Sequence, residues 1–236
     1  GGLDKNLTTN EIDTLASVGL KVFPIFQTQS NDVKYFNYSY GLNHGIEAGK
    51  AAKKLGFPIG TVIYFAVDYD VRTTQVSKII QYFRGVKAYF SSDYQIGVYG
   101  PRMVCNALAE ENLTTASFVA NMSSGFEGNI GHKMPSNWAY DQFATTTAGG
   151  VDIDKCVESS RATAILASLL EPEEEVPYCG GTNYRDVREH TMVLDSGGYY
   201  KCSICGYTIP SPATEDEIIL SNTDRAKVVA LTAAAG

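Results

Sequence analysis

The sequence has few charged residues, few prolines and few cysteines, and it has no long apolar run. Charged residues make up 19% of the chain, below the roughly 25% of an average globular protein. No apolar stretch approaches the roughly 20 residues that a membrane helix needs, so we expect no membrane span. No basic segment followed by an apolar stretch opens the chain, so no signal peptide is visible. The net charge of −7 leaves no basic face for a phosphate backbone, which excludes nucleic acid as the expected partner.

Aromatic residues are what the chain has in quantity. Hydrophobic residues make up 44% and aromatic residues 11% of the chain, including 15 Tyr. This composition excludes intrinsic disorder and is enough for a large core. Tyrosine combines an apolar ring face with a hydrogen-bonding hydroxyl, which suits sugar recognition as well as core packing.

Short apolar runs alternate with helical patterns over residues 1–170, and this alternation predicts parallel strands joined by helices. The predicted strands are 22–26, 62–67, 95–99, 117–121, 138–143 and 151–153, with a last helix running to about Leu169. We expect a (β/α)8 TIM-type barrel that is truncated at its N-terminus, with strands 3–8 present and the first two strands before residue 1. The alternative is an open doubly wound sheet, although no glycine-rich phosphate loop follows any of the strands.

The alternation stops after an acidic, proline-flanked segment at residues 171–177, which we interpret as a linker. Residues 178–236 form a separate region that is rich in Gly, Tyr and Cys. Its Cys202-Ser-Ile-Cys205-Gly206 segment has the form of a zinc knuckle, and Cys179 and His190 upstream complete a possible Cys₃His ligand set. We therefore expect a small zinc-ribbon-like appendage with a structural zinc ion. A disulfide or redox pair between Cys202 and Cys205 is the alternative.

Two acidic residues, Asp68 and Asp70, come directly after the predicted strand at residues 62–67. Side chains two residues apart on a strand point the same way, and the Cα atoms lie about 6.6 Å apart. The carboxyl ends of the strands form the active face of parallel α/β proteins. Paired carboxylates there suit glycoside hydrolysis, in which one protonates the leaving oxygen and the other stabilises or attacks the sugar cation. The structural alternative is a pair that caps the next helix.

Further polar side chains lie at the ends of the other predicted strands. Each is an ordinary local hydrogen-bonding group when taken alone, and Asp154 is also a candidate N-cap for the last helix. Together at one mouth they indicate a ligand-binding site. The candidate substrate-binding residues are Gln27, Tyr99, Asn121, Gln142, Asp152 and Asp154.

Five segments carry a resemblance to a known family. They are Leu20–Gln27 (LKVFPIFQ), Tyr64–Asp70 (YFAVDYD), Ile96–Gly100 (IGVYG), Trp138–Gln142 (WAYDQ) and Gly150–Asp154 (GVDID). In order and spacing they resemble the bacterial glycoside-hydrolase-like family known as domain of unknown function 1906, over about residues 3–165. That family is similar to the family 25 lysozymes, (β/α) barrels that cut the glycan of peptidoglycan.

The resemblance implies roles for individual residues. Asp68 matches the first acid of the family's D-x-E pair, and Asp70 matches its Glu general acid but is shorter by one methylene. Gln142 lies in the seventh-strand stretch, and Asp152 or Asp154 matches the acid after the last strand. The implied function is lysozyme-like hydrolysis of cell-wall glycan without a catalytic cofactor.

Two other functions stay open from the sequence. One is a non-catalytic glycan-binding barrel, and the other is a scaffold with a zinc-dependent protein-interaction tail. A wall substrate implies an extracellular or cell-wall protein, whereas a set of unpaired zinc-type cysteines also suits the reducing cytoplasm.

Overall fold

The computed structural model describes residues 6–90, 93–148, 151–172, 190–194, 199–202, 208–210 and 228–230. The chain divides into two compact units, residues 1–173 and 174–236. The boundaries at 170 and 178 stay a prediction, since residues 173–189 lie outside the described ranges. Among the described residues, no helix is both long and apolar enough to cross a bilayer.

The first unit contains a six-stranded sheet with helices on one face. Its strands follow one another in chain order, β2-β3-β4-β5-β6-β7, and a separate two-stranded pair joins β1 to β8. The helices and strands are α1 (Thr9–Ser17), β1 (Lys21–Val22), β2 (Ile25–Phe26), α2 (Tyr38–Lys54), β3 (Val62–Ala66), α3 (Val76–Tyr89), β4 (Gln95–Gly100), α4 (Arg102–Glu110), β5 (Ala116–Val119), β6 (Trp138–Ala148), β7 (Val151–Glu158) and β8 (Ile165–Leu166).

The predicted strand at 22–26 is divided in two by Pro24. β1 pairs with β8, whereas β2 pairs with β3. Proline has no backbone N–H to donate to a ladder, so one continuous strand cannot pair along its whole length here. The carbonyl oxygen of Pro24 still accepts a hydrogen bond from the Tyr64 N–H at 3.0 Å, which keeps the two short strands beside β3.

The predicted truncated TIM barrel is wrong at its C-terminal end. Strands β2 to β6 are parallel, but β7 runs antiparallel to β6 and forms a hairpin with it. Only Gly149 and Gly150 separate the two strands, whereas a parallel crossover needs a dozen or more residues. No helix runs from Asp154 to Leu169: β7 continues to Glu158, and the chain returns to pair β8 with β1. The fold is a mixed α/β half-barrel.

The sheet is strongly curled, as its aromatic residues show. Flat neighbouring strands lie about 4.8 Å apart, so residues beside β2 and β6 would be separated by about 19 Å in a flat sheet. Phe23, just before β2, instead stacks on Tyr140 of β6 with ring centroids 4.5 Å apart. The Tyr64 and Tyr140 rings, three strands apart, are separated by 6.0 Å. The concave face is therefore filled by aromatic side chains, with Phe118 between them.

The convex face carries the larger core, which packs against α2, α3 and α4. Phe65 and Val67 are fully buried on this face, while Val62 and Tyr64 alternate onto the concave face. Helices α2 and α3 approach closely because glycines replace side chains between them. A Cβ atom at Gly41 would collide with the carbonyl oxygen of Tyr82 in α3. This packing fixes the helices against the convex face of the sheet.

The second unit contains a four-stranded sheet in the order β11-β10-β9-β12. Its strands are β9 (His190–Leu194), β10 (Tyr199–Cys202), β11 (Thr208–Pro210) and β12 (Val228–Ala230). β9, β10 and β11 pair in antiparallel fashion, and β12 pairs with β9 in parallel.

The predicted zinc-ribbon-like appendage is not supported. Within the described ranges, no group of three or more His, Cys, Asp or Glu side chains could hold a metal ion. His190 begins β9 and Cys202 ends β10, while Cys179 and Cys205 lie outside the described residues. C-x-x-C spacing alone does not bring four ligands together, and here the two placed candidates belong to paired strands of a sheet.

Candidate functional site

Polar side chains surround the open end of the concave face, where the parallel strands finish. We call this the mouth and define it by Gln27, Asp68, Tyr99, Gln142 and Asp154. Gln27 follows β2, Asp68 follows β3, Tyr99 lies in β4, and the other two lie in the β6–β7 hairpin. The carboxyl ends of parallel strands meet at one edge of a sheet, which explains why residues so distant in sequence come together.

The structure joins Gln27 to Asp68. The Gln27 side-chain amide nitrogen (Nε2) donates to Asp68 Oδ2 at 3.1 Å and to Ser30 Oγ at 3.1 Å. The Asp68 backbone N–H donates to the Ser30 carbonyl oxygen at 3.0 Å. Asp68 is thus held through both its side chain and its backbone by the segment that follows β2. Its carboxylate is exposed to solvent.

Asp70 stands apart from this group. Strand β3 ends at Ala66, so the strict alternation used to align Asp68 with Asp70 does not extend to them. Tyr69 between them packs towards Phe36, with ring centroids 5.9 Å apart, and both flanking aspartates are exposed. Among the described residues, the Asp70 carboxylate has no hydrogen bond or ion pair. The structure leaves both acids open to a ligand but links only Asp68 to the rest of the mouth.

The hydroxyl of Tyr69 is buried without a hydrogen-bond partner among the described residues. Burial raises its pKa to about 12, and the nearby Asp32 carboxylate adds to the effect. The phenol is therefore neutral at physiological pH. The Tyr69 hydroxyl is thus buried, whereas the residues on either side, Asp68 and Asp70, are exposed to solvent.

The opposite side of the mouth contains a buried tyrosine–glutamine pair. The Tyr99 hydroxyl donates to Gln142 Oε1 at 2.8 Å, and Gln142 is only 3% exposed. Burial raises the pKa of Tyr99, and the negative charges of Asp68 and Asp154 raise it further. Both carboxylates therefore raise the pKa of the same hydroxyl. The structure thus brings Tyr99 and Gln142 together, and their role in binding substrate stays a prediction.

Asp154 reaches the mouth through the β6–β7 hairpin, which the sequence analysis missed. In the hairpin register Cys156 lies opposite Gln142, and Asp154 lies opposite Thr145. Asp154 is exposed in the middle of a strand, so it is not the N-cap that its sequence context also allowed. Asp152 pairs with Thr147 further out along the hairpin.

Cys156 in the β6–β7 hairpin is exposed, whereas Cys105 in α4 is buried. Partial burial of its sulfur raises the pKa of Cys156 to about 11, and Asp154 and Asp141 add to the effect. The thiolate is the nucleophilic form of cysteine. Since Cys156 keeps its proton at physiological pH, it is a poor candidate for a nucleophile.

Asn121 belongs to a different network on the helix-facing side of the sheet. Its amide nitrogen donates to Asp141 Oδ1 at 2.7 Å and contacts Met134 Sδ at 3.2 Å. Its amide oxygen accepts from Arg102 Nε at 2.6 Å. The side chain predicted to bind substrate is therefore occupied within the protein. It ties the loop after β5 to the start of α4 and to β6.

Two members of this network, Arg102 and Asn129, have no sequence motif that marks them. Arg102 also donates to the carbonyl oxygen of His132 at 3.0 Å. Asn129 is 5% exposed and accepts from the Arg102 backbone N–H at 2.9 Å. Its amide nitrogen donates to the carbonyl oxygens of Ala120 and Ser123. The one sequence signal for Asn129 is its position in a Gly-rich loop, and only the structure shows that it is buried.

A comparison with family models matches residues 1–162 to the Rv2525c-like, glycoside hydrolase-like domain. Two similar proteins come from Bacillus subtilis (strain 168). YbfG is 44% identical over 181 residues, covering 71% of this chain and 24% of YbfG. FadG is 40% identical over 181 residues, covering 73% of this chain and 31% of FadG. The chain thus spans about a quarter of the length of YbfG and a little under a third of FadG.

Among solved structures, the fold is similar to that of the Mycobacterium tuberculosis Tat-secreted protein Rv2525c. The structure of Rv2525c in complex with HEPES has a TM-score of 0.58 and 18% sequence identity, covering 69% of this chain and 79% of that one. A second crystal form, in complex with L-tartrate, gives the same TM-score and identity. At this identity the likeness concerns the fold.

Proposed function

Because the chain belongs to the Rv2525c-like, glycoside hydrolase-like domain family, we propose that it hydrolyses the glycan of the bacterial cell wall in the manner of a lysozyme. The observation that carries the proposal is that polar side chains from separate strand ends are joined at one edge of the sheet. Gln27 donates to Asp68, and Tyr99 donates to Gln142. Acids and amides gathered at the carboxyl ends of parallel strands match the demands of sugar binding and glycoside cleavage.

In this proposal the two acids after β3 carry out the chemistry. Asp70 donates a proton to the glycosidic oxygen as the bond from that oxygen to the anomeric carbon breaks. Asp68 stabilises the positive charge that develops on the sugar ring, and water completes the hydrolysis. The exposure of both carboxylates supports these roles, because neither is shielded from a bound polymer. The Gln27 contact supports a fixed orientation for Asp68.

The remaining polar groups of the mouth bind the sugar in this proposal. The Gln142 amide nitrogen and the Asp154 carboxylate bind sugar hydroxyls, with Tyr99 holding Gln142 in place. Asp152, which pairs with Thr147 in the hairpin, is a further candidate for sugar binding in this proposal. Asn121 contributes indirectly, because its amide already holds Asp141 next to Gln142 in β6. The Gln27 amide oxygen is free to accept from a sugar hydroxyl while its nitrogen holds Asp68.

We also propose that the protein acts outside the cell or in the cell wall. A wall glycan is reached only by an exported protein, and the structurally similar Rv2525c is described as Tat-secreted. Fractionation of the producing bacterium tests this directly. Recovery of the protein in the cytoplasmic fraction alone would contradict it.

A non-catalytic glycan-binding domain is the second candidate function. The observation in its favour is that, among the described residues, nothing holds the Asp70 carboxylate in place. General acid catalysis depends on a donor held within hydrogen-bond reach of the proton acceptor. A mouth with only one fixed acid could bind a sugar chain without cleaving it.

Digestion of purified peptidoglycan by the intact chain separates the two functions. Mass spectrometry of the released fragments, with Asp70→Asn and Asp68→Asn alongside, should show new reducing ends from the wild type only. Binding to insoluble peptidoglycan should survive in Asp70→Asn, because the rest of the mouth is unchanged. Saturable binding without new reducing ends from any wall preparation would instead establish the glycan-binding function.

A further inference from the structure

Gln27 is placed to control Asp68 rather than only to contact a ligand. The side-chain nitrogen of Gln27 carries two protons, and the structure uses both, one towards Ser30 Oγ and one towards Asp68 Oδ2, each at 3.1 Å. We propose that Gln27 is a positioning residue, which fixes the orientation of the Asp68 carboxylate with Ser30 as its anchor. This inference rests on the proposed hydrolase function for its catalytic consequence.

The chemistry of the partners determines which end of the Gln27 amide faces Asp68. An ionised carboxylate has acceptor oxygens and no proton to donate. Turning the amide over would place its oxygen against the carboxylate oxygen, with no proton between them. The nitrogen must therefore face Asp68. The amide oxygen then remains on the other side, so one side chain can hold the acid and still accept from a sugar hydroxyl.

Ser30 makes the arrangement rigid. It is 6% exposed, so the packing around it limits where its hydroxyl can lie. Its carbonyl oxygen accepts the Asp68 backbone N–H at 3.0 Å, and its hydroxyl oxygen accepts from Gln27. Ser30 is thus connected to Asp68 in two ways. Its carbonyl oxygen binds the Asp68 backbone directly, and its hydroxyl binds the Gln27 side chain, which in turn donates to the Asp68 carboxylate. Neither regular strand reaches these residues, since β2 ends at Phe26 and β3 ends at Ala66.

The contact matters more when a sugar chain covers the mouth. Gln27 and Asp68 are both exposed in the free protein, where water competes for the same hydrogen bonds and the pair adds little to stability. A bound polymer excludes that water, and interactions with a charged group strengthen as the surroundings become less polar. Losing Gln27 is therefore expected to lower turnover through Asp68, to weaken substrate binding by one sugar contact, and to have little effect on unfolding.

The test uses the 236-residue chain and four variants, namely Gln27→Ala, Ser30→Ala, the double variant, and Gln29→Ala as a matched control from the same loop. Gln29 is exposed and makes no contact with Asp68. Gln27→Ala should lower kcat on soluble peptidoglycan fragments about 10- to 100-fold, the value of a lost hydrogen bond to a charged group. KM and the dissociation constant should rise by no more than about tenfold, the value of one lost neutral hydrogen bond to a sugar hydroxyl, so kcat carries the part of the loss that comes from Asp68.

Ser30→Ala should lower kcat in the same direction but by less, because the Gln27 amide keeps its contact with Asp68. The double variant should be no worse than Gln27→Ala, since Ser30 acts through Gln27 and the two effects are not additive. Gln29→Ala should match the wild type. Additive losses in the double variant, or a loss confined to KM, would overturn the positioning role.

Crystal structures of the wild type and Gln27→Ala provide a readout that does not need turnover. The wild type should show one Asp68 rotamer with Oδ2 facing residue 27, and the variant should show several rotamers or a rotated carboxylate. An unchanged Asp68 in the variant would refute the proposal. If the wild type releases no reducing ends, the hydrolase function fails, while the crystal structures still decide whether Gln27 orients Asp68. If Asp68→Asn loses turnover and Gln27→Ala does not, only the positioning role fails.

Discussion

One wall of the mouth, formed by Gln27, Asp68 and Asp70 after β2 and β3, consists of exposed polar groups on chain segments that have left the sheet. The other wall, formed by Tyr99, Gln142 and Asp154 in β4, β6 and β7, stands on regular strands. Its central hydrogen bond joins a half-buried phenol to an amide that is 3% exposed. We call these the β3 wall and the β6 wall.

The two walls differ in the exposure of their polar groups, and this difference predicts different roles. An exposed carboxylate exchanges protons and meets substrate easily, but a hydrogen bond in water adds little to the stability of the fold. A buried hydrogen bond contributes more, because breaking it leaves a polar group without a partner. The β3 wall is therefore expected to govern turnover, and the β6 wall is expected to govern stability and sugar binding.

The largest expected effect is the loss of turnover when Asp68 of the β3 wall is replaced. Replacing Asp154 of the β6 wall provides the comparison. Asp68→Asn should lower kcat about 100- to 10,000-fold, the range for removing a catalytic acid or base. Asp154→Asn should instead raise KM and leave kcat within about threefold, because its carboxylate binds sugar in our proposal. Asp13→Asn, an exposed acid of α1, is the matched control and should match the wild type. Equal losses of kcat in Asp68→Asn and Asp154→Asn would show that the two walls do not have separate roles in turnover and binding.

The next effect is on the free energy of unfolding. Tyr99→Phe leaves Gln142 Oε1 without its donor and should cost about 1–3 kcal/mol. Gln27→Ala removes two hydrogen bonds from an exposed side chain and should change stability by less than about 0.5 kcal/mol. Urea unfolding at pH 7 measures both values. A larger loss from Gln27→Ala than from Tyr99→Phe would reverse the comparison.

A smaller effect concerns alkaline pH. Burial raises the pKa of Tyr99 in the folded state above its ordinary value of 10.0, so above pH 10 the unfolded state releases a proton that the folded state keeps. Stability must then fall as pH rises, by up to about 1.4 kcal/mol per pH unit for this one group. The difference in unfolding free energy between wild type and Tyr99→Phe should shrink from pH 9 to pH 11. A constant difference would show that Tyr99 ionises normally.

The smallest effect is on the reactivity of Cys156 in the β6 wall. Partial burial raises its pKa to about 11, with further contributions from Asp154 and Asp141, so little thiolate forms at pH 8 despite the exposure of the residue. Iodoacetamide should label the peptide that contains Cys156 more slowly than it labels free cysteine. Asp154→Asn should speed the labelling, because it removes one negative charge. Mass spectrometry of the digested protein reports both rates.

Local sequence patterns indicate the correct structure where they agree with burial. A threonine before a helical pattern and a glycine after it are common helix-end signals, and here Thr8 caps α1 while Gly19 follows its end with a positive φ of 69°. The strand prediction for residues 62–67 matches β3 to within one residue, because a run of β-branched and aromatic residues is buried on both faces. The gathering of Gln27, Asp68, Tyr99 and Gln142 at one edge was also predictable, since parallel strands end together.

The sequence analysis failed where a strand changes direction. Residues 151–158 alternate in the way a strand requires, but the expectation of a complete barrel turned their continuation into a helix. The same expectation gave Asp154 a helix-capping alternative and hid its place opposite Thr145. Asn121 was assigned to substrate because nothing in the sequence shows that Arg102 and Asp141 already occupy its amide. Hydrogen-bond partners that are distant in the chain leave no local pattern.

The sequence by itself determined helices α1 to α4, the buried parallel strands and the presence of polar residues at the strand ends, because capping, periodicity and burial act over a few neighbouring residues. Only the tertiary structure decided which of those polar residues share a space. The curl of the sheet and the antiparallel β6–β7 hairpin bring Asp154 to Tyr99 and leave Asp70 without a protein partner among the described residues. The reason is physical: a side chain's hydrogen bonds and electrostatic field depend on distances through space, and folding sets those distances between segments that are far apart in the chain.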